Sequence, residues 1–355
     1  MVNRGMGHAG IRALACLMVA GMVAHRPAMA RDVTDMAGTI QSVPDQPARI
    51  ADLWFAHNEL VLMLGGAGQI AMTVDRPQAR PWMYTVFPVL FQARVVNGPQ
   101  VTAEALLRDR VDLVFVPDAT ATITAFRGVG VPTLMASFHD VAGLLRVVDM
   151  TATALGTSQA HDTATRYRQM MTQSVNDVRD RLTHVPAGAR PRVLHVQSLH
   201  PLRVDGADSI VDEWISLAGG RNAATGVSGN MKPVSIEQVA AWDPDVIILG
   251  PDSGTPDAGV QAAWQNLRAV REGHVHQNPS GAFTWDRYGS ELPLQIRWAA
   301  KTLHPELFAD LDPVAMTRDF YHTWFHYELS AEQAQLILAA RPPQPLPHPP
   351  AGLHP

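Results

Sequence analysis

Thr102-Ala-Glu104-Ala-Leu-Leu107 leads into Val111-Asp112-Leu-Val-Phe-Val116-Pro-Asp118, and Ser235-Ile-Glu237-Gln-Val-Ala240 leads into Pro244-Asp245-Val-Ile-Ile-Leu249-Gly-Pro-Asp252. From Glu104 to Asp112 is eight residues, and from Glu237 to Asp245 is eight again. In each stretch a glutamate falls in the first turn of a helix, where the helix dipole favours a negative charge. Each aspartate then opens a buried apolar strand. A first-turn glutamate alone is commonly a helix-end residue. Two at the same place in duplicated units point to a pseudo-twofold molecule, which can present one carboxylate per lobe to a partner that is itself twofold.

Working outward, apolar runs of strand length alternate with helical segments. Ala48 to Trp54 reads as a strand, His57 to Leu64 as a helix closed by Gly65-Gly66, and Gln69 to Val74 as the next strand. Val101 to Arg110 (helix), Val111 to Val116 (strand), Ala119 to Arg127 (helix) and Val131 to Ala136 (strand) follow. From Arg190 the pattern restarts, with strands at Arg192 to Gln197, Val246 to Leu249 and His274 to Asn278, and helices at Ser209 to Ala218, Ser235 to Trp242 and Val260 to Arg271. Such alternation implies largely parallel sheets covered by helices. Between the halves, Thr157 to Val185 holds no Gly or Pro, and Ala164, Tyr167, Met171, Val175, Val178, Leu182 and Val185 recur at intervals of three and four. This predicts one long helix burying a single stripe and bridging the halves.

The N-terminus reads as an export signal: Arg4 and Arg12, the apolar run Ala13 to Ala24, then Ala28-Met29-Ala30 as a cleavage site. Cys16, the sole cysteine, lies inside that run rather than at its end, which disfavours lipidation. The predicted division is 1–30 signal peptide, 31–156 N-terminal lobe, 157–186 linker helix, 187–340 C-terminal lobe and 341–355 a proline-rich, disordered tail. The 355 residues are 46% hydrophobic with net charge −5 and only two lysines, Lys232 and Lys301, so no basic stripe supports a nucleic-acid role.

With Leu217-Ala-Gly-Gly-Arg-Asn222, Asn278-Pro-Ser-Gly-Ala-Phe-Thr-Trp285 and His304-Pro-Glu-Leu-Phe308 added to the two glutamate–aspartate units, the chain from Pro47 to Tyr327 resembles the periplasmic binding proteins for iron-siderophore complexes and vitamin B12. The resemblance implies two Rossmann-like α/β lobes joined by one long rigid helix, the class III arrangement, and a monomer serving an ABC importer. In that family a glutamate on each lobe meets arginines of the permease dimer, roles that match Glu104 and Glu237. It also implies small lobe movements on binding.

In open α/β sheets ligands sit beyond the carboxyl ends of the strands. The loops expected there carry His57 and Asn58, then Trp82 and Tyr84, then His200 and Arg203, and last Phe283, Trp285, Arg287 and Tyr288. Aromatic faces with arginines suit an anionic chelate with apolar edges. A ferric siderophore is therefore the expected ligand, no cofactor is expected, and cobalamin, haem and a nickel chelate are the alternatives. Each of these side chains has a packing or ion-pairing reading beside the ligand reading.

His322 and His326 are spaced i, i+4, but no carboxylate cluster accompanies them, and His274 and His276 also read as structural. His200 is the histidine expected nearest the ligand. A periplasmic metal-dependent hydrolase is the competing class. It is disfavoured because no G-x-S-x-G elbow, phosphate-binding glycine loop or zinc-protease helix occurs.

Overall fold

The structure, a computed structural model, describes Met1 and residues 30–349. The expected signal peptide, with its apolar run and Cys16, lies outside the described residues except at its two ends. No helix among the described residues is long and apolar enough to cross a membrane.

An antiparallel hairpin, β1 (Ala30–Thr34) and β2 (Ile40–Pro44), precedes the first sheet and was not foreseen. The N-terminal lobe then runs β3 (Ile50–Asp52), α1 (Phe55–Met63), β4 (Ile70–Thr73), α2 (Pro81–Val86), β5 (Arg94–Val95), α3 (Ala103–Arg108), β6 (Leu113–Val116), α4 (Thr120–Gly128), β7 (Thr133–Met135) and α5 (Val141–Leu155). Its sheet is parallel with strand order β5-β4-β3-β6-β7.

After α6 (Ser158–Arg181), the C-terminal lobe runs β8 (Arg192–Leu199), β9 (Leu202–Val204), α7 (Ile210–Leu217), β10 (Arg221–Asn222), β11 (Lys232–Pro233), α8 (Ile236–Trp242), β12 (Val246–Leu249), α9 (Gln261–Asn266), α10 (Arg268–Arg271), β13 (Val275–Gln277) and α11 (Leu292–Leu303). Here β8, β12 and β13 pair in parallel, while β9 and β11 extend the sheet antiparallel and β10 pairs with β8. The helix expected over Val260 to Arg271 breaks at Leu267, whose extended backbone (ψ 138°) separates α9 from α10.

The repeated aspartates do the same work in both lobes. Asp112 accepts hydrogen bonds from the backbone N–H groups of Ala48 and Arg49 at 2.8 and 2.9 Å, on the approach to β3. Asp245 accepts one from the N–H of Arg192, the first residue of β8, at 2.7 Å. Each carboxylate thus satisfies donors that a strand entry would otherwise leave unpaired.

The bridging helix forms as its stripe predicts. Thr157 caps α6 by accepting from the N–H of Ala160, and Ala160, Ala164, Tyr167, Met171 and Val178 are buried. At 1.5 Å per residue α6 is roughly 36 Å long. It packs against α5 of one lobe and α11 of the other, and Tyr167 donates to the carbonyl of Ser290 at 2.8 Å.

Alternation along the strands divides the apolar side chains between two faces. Ile50, Leu113, Phe115, Val193 and Ile248 enter one cluster that is continuous through both lobes. Ala51, Val114 and Val116 pack under the outer helices of the first lobe, and Leu194, Val196 and Ile247 under those of the second.

The chain then returns over the first lobe through α12 (Pro313–Phe320), a π-type turn at Tyr321–Phe325 and α13 (Ala331–Leu338). Phe325 meets Phe87 with ring centroids 5.3 Å apart. The stretch from Arg341, expected to be disordered, is anchored at its start: Trp82 Nε1 donates to the Arg341 carbonyl at 2.8 Å, and Pro343 is buried. Proline forbids helix and central strand but not packing of an extended segment.

Candidate functional site: the interlobe cleft

In the first sheet the strand order reverses between β3 and β6, and in the second β8 and β12 are neighbours. The loops beyond these strands therefore form a crevice. Trp54 and Phe55 follow β3, Gln197 lies late in β8, and Pro251 and Asp252 follow β12. With Arg80, Met231, Phe283, Asp286, Arg287 and Tyr288 they line a cavity of about 250 Å³. A second hollow of about 180 Å³ shares Arg80, Pro251 and Asp252 with it and is walled by Trp82, Gly281 and Arg341.

Aromatic rings hold the two sides together. Trp54 lies 5.6 Å from both Phe138 and Tyr288, and Phe138 meets Tyr288 edge-on at 5.3 Å. Arg80 stands over the Phe283 ring at 4.5 Å, a cation–π contact between lobes. Its nearest carboxylate, Asp75, is 3.6 Å away. Burial pushes the Asp75 carboxyl up to about 7, against the opposing pull of Arg80.

The floor is a buried charged network. His195 places Nδ1 2.7 Å from Asp205 and Nε2 3.0 Å from Asp286. Burial works against the imidazolium, but the hydrogen bonds of the two aspartates outweigh it and raise the His195 pKa. Lying between two carboxylates, both ring nitrogens are placed to donate. Arg287 donates to Asp205 at 2.9 and 3.2 Å and through Nε to Gln197 at 3.1 Å. Burial would raise the Asp205 carboxyl, yet the His195 hydrogen bond and the charges of His195 and Arg287 hold it at about 2.

The expected site residues divide. Arg287 and Tyr288 reach the cavity, and Trp82 walls the second hollow. His57 and Asn58, expected to face the ligand beyond the first strand, instead turn inward from α1. There they are fully buried, His57 between Asp52 (2.7 Å) and Thr151 (2.8 Å), and Asn58 donating to Thr73 and Asp75. Trp82 and Tyr84 belong to α2 rather than a loop, and Tyr84 is buried with its hydroxyl on the Asp75 carbonyl at 2.9 Å.

Trp285 is also buried, donating to Glu291 at 2.8 Å. His200 is exposed and paired with Asp257 at 2.9 Å, outside the cavity lining, so the structure does not bring it to the solute. Arg203 is outside the lining too and donates to the Met231 carbonyl at 2.9 Å. Trp54, Phe55, Arg80, Gln197, Asp252 and Asp286 were missed. Arg80 and Asp286 each stand within two residues of a residue that was named.

Glu104 and Glu237 are exposed in the first turns of α3 and α8. The caps themselves are filled by Thr102, and by Ser235 with Gln238, so neither glutamate is needed as a cap. Local hydrogen bonds lower both carboxyls, led by the backbone at Glu104 and by the Ser235 hydroxyl at Glu237. His322 pairs with Glu328, and His326 ends its turn in a left-handed conformation (φ +52°). Among the described residues no group of three or more metal-ligating side chains gathers.

The sequence pattern of the family described as periplasmic binding protein matches residues 86–281. The chain belongs to that family. Its members are solute-binding proteins, not enzymes, and the family name places them in the periplasm. The molybdate-binding protein MolA of Haemophilus influenzae is 30% identical over 160 residues, a match that spans 44% of either chain.

Among solved structures, a periplasmic solute-binding protein of Veillonella parvula superposes with TM-score 0.73 at 24% identity, covering 88% of this chain and 97% of its own. MolA bound to molybdate gives 0.73 at 22% (84% and 99%), and nickel-bound CeuE of Helicobacter pylori 0.71 at 17% (87% and 99%). These similarities establish the class III fold of this family.

Proposed function

We propose that this protein is the solute-binding component of an ABC importer and captures an anionic metal chelate, a ferric siderophore first, in the interlobe cleft. The carrying observation is the pairing of Arg80, held over Phe283 and ion-paired with the buried Asp75 at 3.6 Å, with the aromatic wall of Trp54 and Tyr288. A cation beside flat rings suits a ligand with an anionic edge and apolar faces. The adjoining hollow at Arg341 supports a solute larger than a simple oxyanion.

A second reading, capture of an oxyanion, is favoured by the molybdate relative. Cobalamin, haem and nickel chelates remain the alternatives within the fold. In this reading Glu104 and Glu237 dock the permease, and the limits 31–156, 157–186 and 187–340 delimit lobe, linker and lobe.

The test is a tryptophan-fluorescence titration of the protein with ferric siderophores, molybdate, haem, cobalamin and nickel–histidine. Quenching that saturates with a ferric siderophore, and is weakened by Arg80→Ala, is expected. Saturation by molybdate alone would favour the second reading, and no saturation by any member of the panel would overturn both.

A further inference from the structure

Asp286 is fully buried yet lines the cleft cavity. Its Oδ2 is engaged by His195 Nε2 at 3.0 Å, while its Oδ1 has no hydrogen-bond partner among the described residues. A buried carboxylate oxygen without a donor is costly, and such atoms are normally satisfied. Arg287, its sequence neighbour, does not supply one: its hydrogen bonds go to Gln197 and Asp205. The floor beneath the solute thus sets Arg287 and His195 against Asp205 and Asp286, with one acceptor left open.

We infer that Asp286 is a specificity-determining residue whose free Oδ1 accepts a hydrogen bond from the solute, so that the cleft selects anionic chelates carrying an N–H or O–H donor over fully ionised oxyanions. The inference rests on the proposed solute reading and narrows it. A bare tetrahedral dianion offers only acceptor oxygens. Set on this floor it would face Asp286 with lone pair against lone pair, and the Arg287 charge is already matched by Asp205. A chelate with an amide N–H remote from its own metal-bound oxygens satisfies Asp286 while its charged edge meets Arg80. The neighbouring aromatic rings Trp54, Phe283 and Tyr288 supply the apolar contact.

The experiment compares three probes by calorimetric titration at pH 7: an anionic ferric catecholate chelate with a free backbone amide N–H remote from its catechol rings, the same chelate with that nitrogen methylated, and molybdate. The wild-type protein is expected to bind the N–H chelate on the order of 10–100-fold more tightly than the methylated one, the range of a hydrogen bond to a charged group. In Asp286→Asn, whose amide can donate, that ratio should fall toward one and molybdate affinity should rise. The readout is a ratio within one protein, so a merely structural effect on the His195 network would shift both chelates together.

Equal wild-type affinity for the two chelates would overturn the inference even if the variant does not fold, while leaving the chelate reading standing. A ratio unchanged in Asp286→Asn would overturn it as well. Failure of all three probes to bind the wild-type protein would sink the chelate reading and the inference with it.

Discussion

Glu59 of α1 and Glu291, which directly precedes α11, lie against each other in the core shared by the two lobes, with no exposed surface on either. Glu59 accepts from the N–H and hydroxyl of Ser290, both at 2.8 Å. Glu291 accepts from Trp285 and Tyr321 at 2.8 Å and from the Phe283 N–H at 3.0 Å. Burial, and then the charge of Glu291, drives the Glu59 carboxyl well up; burial carries Glu291 to about 7.

These carboxyls, with Asp75, hold protons in the folded chain that the unfolded chain has released. Unfolding therefore releases protons, and stability falls as pH rises from about 4.5 through about 7. Asp205, held low, acts in the opposite sense and loses its contribution only as pH falls toward about 2. Thermal unfolding across pH should give the highest melting temperature near pH 5. Glu59→Gln keeps a partner for Ser290 but removes one titrating group, so its melting temperature should change less between pH 5 and 8 than that of the parent.

Arg287→Met should destabilise the protein by about 2 kcal/mol in urea unfolding. The loss stays below that of a fully orphaned buried charge because His195 and the Met231 N–H still serve Asp205. A change under 0.5 kcal/mol would contradict the buried ion pair.

Replacing both Glu104 and Glu237 by alanine should abolish uptake in cells while leaving solute affinity unchanged. Stability should be unchanged in urea unfolding, since the helix caps are filled by other residues. Equal loss of affinity would remove the docking assignment.

Ending the chain at Ala340 deletes the acceptor of Trp82 Nε1 and the bond from the Arg341 N–H to the Leu336 carbonyl. A loss of about 1–2 kcal/mol is expected, with a red shift in tryptophan emission as Trp82 is wetted. An unchanged spectrum would argue that the strap carries no weight.

The α6 stripe and the paired glutamate–aspartate units were legible because they repeat at fixed intervals, and periodicity survives without knowledge of partners. The cleft was legible only in part. Arg287 and Tyr288 follow a strand end and do face the cavity. His57, Asn58 and Trp285 look equally polar or aromatic in sequence but are drawn inward by Asp52, Asp75 and Glu291, partners 5, 17 and 6 residues away. Asp286 was overlooked because an aspartate between a tryptophan and an arginine carries no mark of burial. Its importance comes from His195, which lies 91 positions earlier. The hairpin of β1 and β2 and the returning helices α12 and α13 have short patterns that do not stand out from loops.

The unbroken apolar interior that runs through both lobes, braced by α6, has a consequence for traffic at the membrane. On the proposed importer reading, a receptor braced in this way would look nearly the same empty or loaded, leaving the permease little shape difference by which to tell them apart. Empty copies should then compete with loaded ones for the same berth, and uptake should decline when the receptor greatly outnumbers its cargo.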